Sequence, residues 1–118
     1  MTDFYDVIVA GLGAMGSLTT YQLARRGHRV LGLDRFTPPH AMGSSHGFSR
    51  IIREAYFEDP RYVPMVQQAY EAWATLEARS GVRVFRQTGG LMLGPPDGVL
   101  VSGALRSAEL HGLPHELL

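Results

Sequence analysis

With 118 residues, 45% of them hydrophobic, 19% charged and a formal net charge of zero, the chain has the balance of an ordinary globular unit and not that of a disordered or membrane-spanning polypeptide. Its arginines are dispersed among acids, as Arg25-Arg26, Arg50, Arg53, Arg61, Arg83, Arg86 and Arg106, so there is no basic stripe or block to serve a nucleic-acid partner. Cysteine is absent, which leaves no disulfide or thiolate chemistry within these residues, and no apolar run approaches the roughly 20 residues of a membrane span. Asp3 and Asp6 stand where a secretory signal would carry positive charge, and a cytoplasmic location is expected by default.

Tyr5 to Ala10 is a short run rich in Val and Ile, which predicts a central strand buried on both faces of a parallel sheet. It runs into Gly11-Leu12-Gly13-Ala14-Met15-Gly16. Gly11 lets the chain turn out of the strand, Gly13 lets backbone approach a phosphate, and Gly16 lets the next helix pack closely on the sheet. Glycine-rich turns also occur for structural reasons alone, but here a strand precedes the motif, a helix follows it, and Asp34 closes the next apolar stretch. Helix N–H groups would face a pyrophosphate and Asp34 would accept from the adenosine ribose, disfavouring a 2′-phosphorylated cofactor, although Arg35 follows directly.

The helix is expected over Ala14 to Arg26, with Gly16, Thr20 and Ala24 as a small-residue face and Gly27 at the C′ position. Arg29 to Leu33 reads as the second strand, and Phe36-Thr37-Pro38-Pro39-His40 breaks regular structure before the small polar run Gly43 to Gly47. Asp59 caps a helix with Pro60 at its first position, and Tyr62, Val66, Ala69, Trp73 and Leu76 repeat as a core face until Ser80-Gly81. Val82 to Gln87 and Leu91 to Leu93 look like strands, and Pro95-Pro96-Asp97-Gly98 introduces a helix over Val99 to His111, ended by Gly112.

The fold class is therefore α/β, with residues 1–118 as the N-terminal portion of a Rossmann-like domain built on one βαβ start. The third strand of such a half is not evident. The tail Leu113 to Leu118 stops where another element is expected, so the chain reads as the front of a longer protein, most of its substrate domain lying elsewhere. His28, His40, His111 and His115 are scattered, and Gly112 and Pro114 break any helix that would align the last two, so no metal site is expected.

A second constellation lies in Gly43-Ser44-Ser45-His46-Gly47-Phe48-Ser49-Arg50-Ile51-Ile52-Arg53-Glu54-Ala55-Tyr56. If this segment is helical, Arg50 and Arg53 share a face. One guanidinium would clamp a substrate carboxylate and the other would stabilise negative charge on a reduced flavin. Solvated arginines or pyrophosphate contacts are the plainer alternative, as a backbone-bonded loop histidine is for His46.

These residues resemble the monomeric sarcosine oxidase and N-methyltryptophan oxidase family of FAD-dependent amine oxidases, within the D-amino-acid oxidase group. The resemblance covers essentially the whole chain and is carried by Asp6 to Gly16, Asp34 to His40, Ser44 to Tyr56, Tyr62-Val63-Pro64 and Thr88-Gly89-Gly90-Leu91. It implies oxidation of a secondary amine such as sarcosine, with FAD accepting the hydride equivalent, oxygen regenerating it with release of peroxide, and water hydrolysing the imine to aldehyde and amine. Carried over by position, Gly11, Gly13, Ala14, Met15, Gly16, Asp34 and Arg35 belong to the ADP side, Ser44, Ser49 and Arg50 to the flavin side, and Arg53 to the substrate carboxylate. Arg50 and His46 are the candidates nearest the chemistry.

Ser45 replaces a second His common in the family, and Phe48 replaces an Asp. The family's flavin-attachment Cys, oxygen-activating Lys and substrate-domain residues would lie beyond Leu118. A chain ending there would be an inactive nucleotide-binding fragment; an NAD-linked dehydrogenase is a further alternative, one with no use for the Ser44 to Arg53 run.

Overall fold

The computed structural model describes residues 4–118. Its elements in chain order are β1 (Val7–Ala10), α1 (Ala14–Arg25), β2 (Val30–Leu33), α2 (Tyr62–Ser80) and α3 (Val99–His111). The chain divides into two compact units, Met1–Arg50 and Ile51–Leu118. Among the described residues, no helix is long and apolar enough to cross a membrane.

In the first unit β1 and β2 pair in parallel, with Val7 opposite Val30 and Ala10 opposite Leu33. The pairing is fastened at its start by Asp6, whose carboxylate accepts the Arg29 N–H at 2.7 Å while its own N–H donates to the Arg29 carbonyl at 2.8 Å. These contacts sit just outside the ladder, and the strands begin at Val7 and Val30, after the Tyr5 and Arg29 expected. At the other end the Gly11 N–H donates to the Leu33 carbonyl at 2.7 Å, bringing the carboxyl ends of both strands together.

A β1 buried on both faces is not what forms. Val7 and Val9 are half-buried while Ile8 is 60% exposed, because two strands and one helix cover a single face and alternate residues point away from it. Helix α1 approaches closely at Gly16, where a Cβ would overlap the Gly11 carbonyl oxygen. Thr20 follows on the same side, but Ala24 is exposed and Leu23 is half-buried instead, since eight residues of a helix overshoot two turns. Gly27, at φ +87°, ends the helix with its N–H on the Ala24 carbonyl and the His28 N–H on that of Leu23, a Schellman arrangement.

The second unit has its core where α2 contributes Val63 and Val66 and α3 contributes Ala104, Ser107 and Ala108. Helix α2 does not start where Asp59 and Pro60 suggest: it begins at Tyr62 with Arg61 as its N-cap and no side-chain cap bond, while the Asp59 carboxylate accepts the Arg61 N–H at 2.8 Å in the tight turn over Pro60-Arg61 that precedes the helix. That entry turns Val63 inward and leaves Tyr62 exposed against the Tyr56 ring, while Ala69, Trp73 and Leu76 remain half-buried. Buried Ser107 donates its hydroxyl to the Tyr56 carbonyl, and a Cβ on Gly103 would overlap the backbone of Phe57, so α3 lies directly on residues 56–57.

Neither Val82 to Gln87 nor Leu91 to Leu93 is a strand. The Glu77 carboxylate accepts the Val84 and Phe85 N–H groups at 2.6 and 2.7 Å, taking the donors that a sheet would have used, and Phe85 stacks near Tyr70 at 5.1 Å. The helix over Val99–His111 forms as its punctuation predicts and ends at left-handed Gly112.

Candidate functional site

At the carboxyl ends of β1 and β2 lies an open cleft of about 510 Å³, lined by Gly11, Gly13, Asp34, Phe36, His40 and Met42 among others. Parallel strands deliver their carboxyl ends to such a crevice, and this volume is within the range of small-molecule sites. Gly11 has φ +90°, a turn that favours glycine. Gly13 is different: at φ −66° and ψ −169° its backbone suits any residue, and a Cβ there would meet nothing within 4 Å. The fold itself does not require glycine at this position.

Gly13 is also the N-cap of α1, with no side-chain cap and no acid in the first turn. The first N–H groups of the helix are thus left for an outside acceptor, and the helix dipole favours a negative one. Ala14 and Met15 are exposed on this turn, Met15 at 81%.

Asp34 faces the same cleft in a dense set of contacts. Its Oδ2 accepts the Leu12 N–H at 2.6 Å, its Oδ1 accepts the Phe36 N–H at 2.9 Å, and the His40 Nε2 lies 3.2 Å from Oδ1. These donations, the Phe36 N–H foremost, then the Leu12 N–H and the nearby His40, hold the carboxyl below its ordinary range against the opposing effect of burial. Leu12 fills the space above Gly32, whose missing side chain lets the turn close over β2. Arg35 lies over the Phe36 ring at 5.5 Å, and Phe36 meets the His40 ring edge-on at 5.3 Å.

The segment from Ser44 to Tyr56 is not helical, so the shared helical face suggested for Arg50 and Arg53 does not form. In the first unit Ser44, Ser45, His46 and Ser49 are exposed, and Arg50 donates to the Ser49 carbonyl at 3.0 Å. Its guanidinium occupies the place a Cβ on Gly47 would take; Gly47 has φ +153°.

In the second unit Arg53 donates from Nη2 to Glu58 at 2.8 Å and lies over the rings of Tyr56 at 4.8 Å and Phe57 at 5.1 Å. The bond to Glu58 raises the Arg53 pKa and lowers that of Glu58. Arg53 is thus a half-buried cation on an aromatic bed, with a carboxylate already on it.

Sequence reasoning missed His40 and Glu58 as partners of Asp34 and Arg53. The only available signals were a His ending the Pro38-Pro39 break and an acid five residues beyond Arg53.

Residues 6–118 match the family described as FAD dependent oxidoreductase. Among similar curated proteins, monomeric sarcosine oxidase of Streptomyces avermitilis is 52% identical over 118 residues, covering 100% of this chain and 31% of its own length. Peroxisomal sarcosine oxidase of Mus musculus is 44% identical, over 99% of this chain and 30% of its own. N-methyl-L-tryptophan oxidase of Yersinia pestis is 41% identical, over 97% and 31%. The chain therefore spans about 30% of the length of these relatives.

Proposed function

Because the chain belongs to the FAD dependent oxidoreductase family, we propose that residues 1–118 are the N-terminal portion of a Rossmann-like FAD-binding domain. It would serve a cytoplasmic flavoenzyme oxidising N-methyl amino acids such as sarcosine. The observation that carries this reading is Gly13, a glycine with ordinary dihedrals and open space above it, set at an uncapped helix N-terminus. A pyrophosphate there would receive the first N–H groups of α1. Gly11 makes the turn, Gly16 seats the helix, and Asp34 keeps lone-pair capacity for a ribose hydroxyl beyond its contacts to Leu12, Phe36 and His40. Ala14, Met15 and Arg35 border the ADP moiety.

We assign Ser44, Ser49 and Arg50 to the flavin side, with His46 beside them. Arg50 would supply a fixed positive charge and His46 a ring able to donate or accept a hydrogen bond. Arg53 would take the substrate carboxylate, a role supported by its Nη2 already donating to the carboxylate of Glu58 at 2.8 Å. A substrate acid would compete with Glu58 for the same donors. When bound, FAD would supply the two-electron oxidation of the amine to an imine, with oxygen as final acceptor giving peroxide, and water hydrolysing the imine to aldehyde and amine.

The test is calorimetric titration of the purified protein with FAD, ADP and NAD⁺. FAD and ADP should bind and NAD⁺ should bind far more weakly. Preference for NAD⁺ would replace this reading with that of a nicotinamide-linked dehydrogenase, and no binding of any of the three would remove the nucleotide site altogether.

A further inference from the structure

The wall of the Asp34 cleft holds a histidine whose role is unassigned. His40 is nearly covered, its side chain 16% exposed. Its Nδ1 accepts the Met42 N–H at 3.2 Å, so in the neutral ring the proton must sit on Nε2. That Nε2 is buried and has no aligned hydrogen bond, although Asp34 Oδ1 is 3.2 Å away. A buried donor left without an acceptor is costly, and the charged oxygen beside it is the acceptor within reach. Phe36 holds the ring from the side, edge-on at 5.3 Å. The other charged group nearby on the cleft wall is Arg35, whose guanidinium is turned onto the Phe36 ring.

We propose that His40 is a positioning residue for nucleotide binding: its Nε2–H steers Asp34 Oδ1, fixing the carboxylate plane so that its remaining lone pair meets an adenosine ribose hydroxyl. The inference rests on the reading of Asp34 as the ribose acceptor. Met42 N–H selects the tautomer, His40 orients the acid, and the Leu12 and Phe36 N–H groups anchor it. His40 itself does not touch the reacting centre.

Two substitutions separate the nitrogens. His40→Gln retains a donor near the position of Nε2 and loses the acceptor for Met42; His40→Asn retains an acceptor near Nδ1 and loses the donor to Asp34. ADP titrations of the flavin-stripped full chain should show about tenfold weaker binding for His40→Asn and near-normal binding for His40→Gln, the cost of a ribose hydroxyl meeting a carboxylate that is no longer oriented to accept from it. Nitrogen-15 shifts of His40 in the unsubstituted protein should report the Nε2–H tautomer whatever the variants do. Asp34→Asn is the control. If it weakens ADP while His40→Asn does not, or if both His40 variants weaken it equally, or if the tautomer is Nδ1–H, the role of His40 is overturned and the ribose reading stands. If Asp34→Asn leaves ADP binding unchanged, the ribose reading itself fails.

Discussion

The Leu12 N–H donates to Asp34 Oδ2 at 2.6 Å, joining residues twenty-two positions apart and pinning the turn after β1 to the end of β2. Asp34 is thus a clasp of the fold before it is a contact for any ligand. Its carboxyl is held below the ordinary value by the Phe36 and Leu12 N–H groups and by His40. A depressed carboxylate contributes stability that is fully present above its unfolded pKa of about 3.9 and is lost as pH falls through the lowered folded value. Melting temperatures of the wild type and Asp34→Asn should converge below that window and separate above it. A constant difference down to the most acid pH would contradict the clasp.

The glycines of the turn divide by cause. Gly16→Ala forces a Cβ into the Gly11 carbonyl oxygen and should cost about 1–3 kcal/mol or more in stability, as overpacking against backbone does. Gly13→Ala should change stability by no more than about 0.5 kcal/mol, since nothing lies within 4 Å of the added carbon. It should nevertheless weaken FAD by at least about tenfold by occupying the approach to the helix N-terminus. Paired melting curves and flavin titrations check both statements.

Why some elements were legible in the sequence follows from what defines them. Helices α1 and α3 carry their own punctuation, Gly13 and Gly27 around one and Pro95-Pro96 and Gly112 around the other, and both end in left-handed glycines. The parallel pair β1 and β2 follows from apolar runs joined by one helix. Val82 to Gln87 has the composition of a strand, but a strand exists only with a partner, and here Glu77 takes the Val84 and Phe85 donors. Gly11 and Gly16 were visible because a left-handed turn and a close backbone approach demand glycine there, and Gly13 and Asp34 because of their places in the motif and at the end of β2. Pairs such as Asp34 with His40 and Arg53 with Glu58 depend on how irregular loops fold back, which periodicity does not encode.

Arg53→Ala should weaken sarcosine-like substrates by about 2–5 kcal/mol while leaving FAD bound, the loss incurred when one partner of a charge pair is removed. Glu58→Gln should act in the opposite sense, lowering the substrate KM by freeing the Arg53 fork from a competing carboxylate. Steady-state kinetics with sarcosine and flavin absorbance of each purified variant decide the matter. Unchanged substrate affinity in Arg53→Ala would refute its role.

The Glu77 carboxyl is lowered chiefly by the Phe85 and Val84 N–H donors. The tether is therefore complete above the unfolded Glu pKa of about 4.3 and is released as pH falls through the lower folded value. Hydrogen exchange at Val84 and Phe85, corrected for its intrinsic pH dependence, should lose protection in that acid window and should lose it at neutral pH in Glu77→Ala. Protection that survives the substitution would mean that the two N–H groups have another acceptor.

The proposal that this chain belongs to a flavin-dependent amine oxidase is tested most directly by the visible absorbance of the purified native protein, recorded anaerobically before and after adding sarcosine. An oxidised flavin spectrum that bleaches with sarcosine and returns with oxygen is the predicted result. A protein that remains colourless after incubation with FAD, yet reduces NAD⁺ in the presence of substrate, would contradict the account.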